Sequence, residues 1–170
     1  MAELTVRRPT VADAAAIHRL VADTEGLDTK SLYMYALWCR DYPECSAVAL
    51  EEDRLVGVLT GYLRPELPTT YFAWQTAVAP ATTHSDIAPR MYDLVLHHLR
   101  DQRVDSIEMS IDDSNRSIKF LLSRLTRRYG ATRTSEPLFS TDQLGHDHHP
   151  ETLHVLRFAP QTPAGRCRLH

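Results

Sequence analysis

This chain predicts a single α/β domain built around a mixed sheet, and three observations carry that expectation. Its 170 residues are about one domain's worth, and with 43% hydrophobic residues they can supply a proper core. Strand-like and helix-like periodicities interleave along the whole length. Apolar runs follow one another directly in the first half and alternate with helices in the second, which calls for antiparallel hairpins at the front and a crossover at the back.

The elements follow in order. Leu4 to Arg7 predicts a short strand, and Pro9-Thr10-Val11-Ala12-Asp13 opens a helix with Thr10 as N-cap and Asp13 as the reciprocal acid. A second helix is expected from about Thr29 to Arg40. Ser46 to Glu51 and Leu55 to Leu63 are two strands joined at Glu52-Asp53-Arg54, and Tyr71 to Val78 is a third. From Asp86 to Gln102, apolar residues recur at Ile87, Met91, Leu94, Val95 and Leu99, close to a helical period. Ser106 to Ile111 returns to a strand, and Asp113 to Tyr129 predicts a helix closed by Gly130 as a left-handed C-cap. A polar, histidine-rich loop then leads to a last strand from about Leu153 to Phe158. The expected organisation is one domain over 1–158 and a disordered tail over 159–170, where Pro160, Pro163 and Gly165 stand.

Composition excludes several function classes. A net charge of −3 offers no electrostatic footprint for nucleic acid, and Arg124, Arg127 and Arg128 fit a solvated helix face. Cys39, Cys45 and Cys167 are odd in number and lack CxxC spacing, which suits a reducing cytoplasm better than a disulfide framework or zinc site. No leader or membrane-length apolar run is expected, so the location expected is the cytoplasm.

Several words in the chain carry a specific resemblance. They are Arg8-Pro9-Thr10, Leu27-Asp28-Thr29-Lys30-Ser31-Leu32-Tyr33-Met34-Tyr35, Leu55-Val56-Gly57, Gly61-Tyr62-Leu63-Arg64-Pro65-Glu66-Leu67-Pro68 and Phe72-Ala73-Trp74-Gln75-Thr76-Ala77-Val78. In sequence and order, over roughly Arg7 to Phe158, they resemble the Gcn5-related N-acetyltransferase superfamily, and within it the diaminobutyrate acetyltransferases of ectoine biosynthesis. The second and fifth words together are specific; the others are weak alone. The resemblance implies that fold, N-acyl transfer to a small amino acid or amine, an acyl-thioester donor such as acetyl-CoA, and a homodimer.

It also implies an acceptor site at Asp28, Tyr33, Trp74, His148 and Glu151. Such an acceptor carries two amines and a carboxylate, so acylating only one amine requires fixed charge partners. Asp28 and Glu151 can pair with ammonium groups or accept an amine proton, which makes them the catalytic candidates, and Trp74 can supply an apolar wall. Thr76, Val78 and Asn115 stand where the resemblance places donor contacts. Each residue also has an ordinary explanation: Asp28 as an N-cap, Trp74 as strand core, Tyr33 as an interface aromatic, Glu151 as a loop acid. His146, His148, His149, Asp147 and His154 invite a metal site, but their spacing fits no established zinc pattern, and no metal is expected.

The donor side departs from the superfamily. Its members grip the coenzyme A diphosphate with backbone N–H groups of a glycine-rich loop leading into a helix. Here that stretch is Ala77 to Ala88, with Thr83 at the basic position and His84 and Asp86 at glycine positions. No glycine occurs between Gly61 and Gly130. Asp86 is expected to satisfy the helix N-terminus and repel the diphosphate. The tyrosine that often protonates the leaving thiolate is replaced by Leu122, seven residues after Asn115, as in the diaminobutyrate enzymes.

Two functions therefore compete. One is an N-acyltransferase whose donor does not present its diphosphate to this loop, such as a carrier-protein thioester. The other is a non-catalytic amino-acid-binding protein that acts as a sensor or as the partner of another enzyme.

Overall fold

The computed structural model describes residues 2–160. The chain runs β1 (Leu4–Arg7), α1 (Ala14–Ala22), α2 (Leu32–Asp41), β2 (Ala47–Glu51), β3 (Arg54–Arg64), β4 (Leu67–Val78), α3 (Ile87–His98), β5 (Ser106–Asp112), α4 (Arg116–Arg128), β6 (Thr132–Phe139), α5 (Thr141–Leu144) and β7 (Glu151–Arg157). The seven strands form one mixed sheet in the order β1-β2-β3-β4-β5-β7-β6, and β4 with β5 is its parallel pair. Beyond Pro160, the expected tail lies outside the described residues, as does Cys167.

The predicted turn chemistry holds at the start of the chain. The Thr10 N–H donates to Asp13 Oδ2 at 2.7 Å, and the Arg7 guanidinium forks onto both Asp13 oxygens at 2.8 Å. That fork, with Thr10, keeps the Asp13 carboxyl below its usual range against the opposing effect of burial. It joins the end of β1 to the short 3-10 turn that leads into α1.

Helix α2 begins later than expected. Ser31 is its N-cap and accepts from the Met34 N–H at 3.2 Å. Asp28 is therefore free of a capping role. Gly130 closes α4 in the left-handed region (φ 56°), as predicted.

Strand alternation sends side chains to two cores. On one face Val48, Val58 and Ala77 pack with Ile17, Val21 and Tyr35 of α1 and α2. On the other, Ala49, Leu59 and Ile107 pack with Met91, Val95, Leu122 and Leu125 of α3 and α4. Leu122, at the position compared with a catalytic tyrosine, is fully buried core. Among the described residues no helix is long and apolar enough to cross a membrane.

Three further elements depart from the sequence expectation. The stretch after Gly130 contains strand β6 and the short helix α5, not a continuous loop. β6 is an edge strand with seven of its eight residues exposed, so it carries no apolar alternation to betray it. β4 also begins at Leu67, four residues before the expected start.

Gly61 fixes the middle of the sheet. A Cβ there would lie 2.5 Å from Phe72 O and collide with the Tyr71 hydroxyl, which donates to Cys45 O at 2.8 Å. Gly61→Ala is expected to cost about 1–3 kcal/mol through overpacking. A urea titration reads this as a lower midpoint, and an unchanged midpoint contradicts it.

Candidate active site

The site grows from an irregularity in β4. Thr60 pairs with Gln75 and Gly61 with Ala73, so Trp74 is the extra residue of a β-bulge, the device by which a strand re-aims a side chain. One residue earlier the parallel partnership ends: β4 and β5 pair from Thr70–Ser106 to Ala73–Met109 and then separate. Ala79 N–H donates to Val56 O at 2.8 Å, and strand groups alternate in direction. The backbone groups of Thr76 and Val78 therefore turn away from β3 into the opening between β4 and β5.

A cleft of about 590 Å³ occupies this opening, and Asp28, Trp74, His148 and Glu151 all line it. Thr76 and Asn115 line it too, while Val78 lies further along the strand, outside the lining. Tyr33 departs from its expected place: it is 72% exposed and absent from the cleft wall. The helical period explains this, because Met34 and Trp38, four residues apart, face the cleft while Tyr35 and Cys39 face the core. Tyr33 falls on neither stripe.

Buried hydrogen bonds hold the loop from Asp28 to Lys30 in place. Tyr35 Oη donates to Gln75 Oε1, and Gln75 Nε2 donates to the Asp28 carbonyl, both at 2.9 Å. Lys30 N–H donates to Tyr35 Oη at 3.3 Å. Lys30 Nζ then folds back onto Asp28 Oδ2 at 2.5 Å and lies 5.9 Å from the centre of the Trp74 ring. Lys30, helped by the more distant His148, holds the Asp28 carboxyl below its usual range against slight desolvation. Trp38 stacks obliquely on Trp74, with ring centres 4.7 Å apart.

The far wall comes from β5, α4 and β7. Glu151 starts β7 opposite Asp112, and its Oε2 accepts from Ser110 Oγ at 2.6 Å. Asn115 Oδ1 accepts from the Ile118 N–H at 3.2 Å, so that oxygen serves as the α4 cap. Its amide nitrogen stands against Gly26, whose positive φ of 80° carries the loop leading to Asp28 past it. Thr76 Oγ1 shares a 2.9 Å hydrogen bond with Tyr92 Oη, and burial raises the Tyr92 pKa, so the phenol stays protonated.

At the loop before α3 the structure corrects the expectation for Asp86. The Asp86 side chain does not cap the helix; its Oδ2 accepts from Arg90 Nε at 2.7 Å, and Arg90 holds its pKa down. The anion that engages the loop is Glu51. Its carboxylate accepts from the Thr83 N–H at 2.9 Å, from the Thr82 and Thr83 hydroxyls, and from Arg54 at 2.9 Å. Led by the Thr82 hydroxyl, these contacts lower the Glu51 pKa to about 2 although the residue is buried. Arg54 also donates to Ala81 O at 3.1 Å and Arg124 to Ser85 O at 2.7 Å.

The histidines do not gather. His154 is buried in β7, away from the loop holding His146, His148 and His149, and both its ring nitrogens lack partners among the described residues. No three His, Cys, Asp or Glu side chains converge as metal ligands among those residues. A wider hollow of about 1030 Å³ between α1 and the β2–β3 turn carries none of the predicted site residues.

Sequence reasoning missed Lys30, Trp38, Glu51, Gln75 and Tyr92. Gln75 left a usable signal, a polar residue within the apolar run of β4. Glu51 left none, since the Thr82 and Thr83 groups it engages lie about thirty residues away.

The chain belongs to the acetyltransferase (GNAT) family, whose profile matches residues 14–126. More particularly, it is 38% identical to an L-2,4-diaminobutyric acid acetyltransferase of Nocardia farcinica, across 91% of this chain and 79% of that one. A protein of the same name from Streptomyces avermitilis is also 38% identical, over 90% and 87%. Among solved structures, the diaminobutyrate acetyltransferase EctA of Paenibacillus lautus, in complex with L-2,4-diaminobutyric acid and coenzyme A, matches at TM-score 0.86. Its identity is 26%, covering 92% of this chain and 96% of that one.

Proposed function

We propose that this protein acylates one amine of L-2,4-diaminobutyrate or a closely similar small diamino acid, taking the acyl group from a thioester. The observation that carries this is the gathering of Asp28, Trp74, His148 and Glu151 in one cleft that opens onto the unpaired edge of β4. The similarity to diaminobutyrate acetyltransferases over nine-tenths of the chain supports it, and disfavours the non-catalytic alternative.

An amine is a nucleophile only after losing its proton, and the ammonium of such an acceptor, near the lysine range, is largely protonated at neutral pH. Glu151 takes that proton. The freed nitrogen then attacks the thioester carbonyl, and the outward-turned N–H groups of β4 stabilise the oxygen that becomes negative. The carbon–sulfur bond breaks, the sulfur leaves as a thiolate, and the nitrogen gives up its second proton to that thiolate, so that an amide and a free thiol remain. The Tyr92 hydroxyl, kept protonated by burial and bonded to Thr76 Oγ1, backs the same opening.

On the donor side, the open edge of β4 at Thr76 and Val78 suits the amide-bearing arm of a pantetheine thioester. The diphosphate of acetyl-CoA meets a loop whose Thr83 N–H and hydroxyls already serve Glu51. Acetyl-CoA therefore binds weakly for this fold, and a carrier-protein thioester would escape the penalty. Glu51→Gln, which removes the charge and keeps an acceptor oxygen, is expected to tighten acetyl-CoA binding about tenfold. Calorimetry measures this, and unchanged or weaker binding contradicts it.

A homodimer remains part of the proposal, with Leu32 and Tyr33, both exposed on the first turn of α2, as an available contact. The direct test is incubation with acetyl-CoA and L-2,4-diaminobutyrate. Release of free thiol and a singly acetylated product are expected; no thiol from any acyl thioester, with the amino acid still bound, contradicts the reading.

A further inference from the structure

An amino acid entering a desolvated cleft must pair its carboxylate as well as its amines, because an unpaired buried charge is strongly penalised. Asp28, Asp112 and Glu151 give this cleft three carboxylates, which suit ammonium groups and repel the acceptor's own carboxylate. Against them, Lys30 is the one lysine or arginine in the lining among the described residues. Its ammonium lies on Asp28 Oδ2, at the Trp74 wall. A second, independent observation comes from Trp38, whose indole N–H is buried in the cleft wall with no hydrogen-bond partner among the described residues. A buried donor left without a partner calls for an acceptor, and in a cleft wall a bound ligand can bring one.

We propose that Lys30 and Trp38 form a carboxylate subsite, and that Lys30 paired with Asp28 makes a clamp for the α-amino-acid end of the acceptor. This rests on the acyltransferase function proposed above and adds a ground for its selectivity. The amino and carboxylate groups on an α-carbon are a fixed pair of opposite charges. The Asp28–Lys30 pair presents the complementary arrangement, ammonium to Asp28 and carboxylate to Lys30. Only the Asp28 Oδ2 atom is engaged by Lys30, so its second oxygen remains for the ammonium. With the α-end held there, the side-chain amine is the one left to reach Glu151 across the cleft. A simple diamine lacks half of this recognition.

The test compares L-2,4-diaminobutyrate with 1,3-diaminopropane, its analogue without the carboxylate. Calorimetric affinities are read for the wild-type protein, Lys30→Met and Trp38→Phe, so the result does not depend on turnover. The wild-type protein is expected to prefer diaminobutyrate by about ten- to a hundredfold, the range of a charge-assisted hydrogen bond. Lys30→Met is expected to lose most of that preference and Trp38→Phe part of it, while Lys30→Arg retains it. A preference unchanged in Lys30→Met, or equal affinities in the wild-type protein, would overturn the subsite. Preference for diaminobutyrate without acetyl transfer would overturn the proposed activity and leave the subsite standing.

Discussion

Glu151→Gln is expected to lower kcat/KM for acyl transfer by about 10²- to 10⁴-fold, the contribution of a positioned general base. The replacement is nearly isosteric, and its amide oxygen can still accept from Ser110 Oγ, which now sits 2.6 Å from Oε2. What it loses is the ability to take a proton. Substrate that arrives as an ammonium then has no partner to deprotonate it, so the residual rate should rise with pH as free amine becomes available. Steady-state kinetics from pH 7 to 10 measures both effects. A variant with near-normal activity and the same pH profile would remove Glu151 from the mechanism.

The second large effect is expected at a residue that touches no reacting atom. Gln75→Leu strips the buried amide that joins Tyr35 Oη to the Asp28 carbonyl, leaving two polar groups short of a partner. Each orphaned group costs about 1–3 kcal/mol. Because Gln75 also anchors the segment bearing Asp28 and Lys30, the acceptor KM should rise. Urea unfolding and kinetics read the two consequences, and the double variant with Tyr35→Phe should lose less than the sum of the single losses. Full additivity, or a stability within error of the wild-type protein, would show that the bridge does not hold the loop.

What the sequence disclosed follows from where the signals lie. Helices α1, α3 and α4 and strands β2 to β5 announce themselves because each buries an apolar face at its own period. β6 buries almost nothing and so had no pattern to show. The same logic governs the site. Asp28, Trp74, His148 and Glu151 are nameable because the family resemblance assigns each a place, Asp28 and Trp74 within its two specific words, and the cleft collects all four. Tyr33 belongs to the same word, yet one helical step turns it outward. Glu51 and Lys30 take their meaning from contacts that only folding creates, the first with the loop at Thr82 and Thr83, the second across Trp74. Asp86 shows the converse: its position before a helix suggested a cap, and a neighbouring arginine claimed it.

The central claim is that acceptor and donor meet where β4 parts from β5. A crystal structure of the protein with coenzyme A and L-2,4-diaminobutyrate tests it most directly. The account predicts the thiol in the opening beside Thr76, the side-chain amine between that thiol and Glu151, and the α-end against Asp28. A thiol lodged elsewhere, or a diamino acid bound outside the cleft of Trp74 and Glu151, would contradict it.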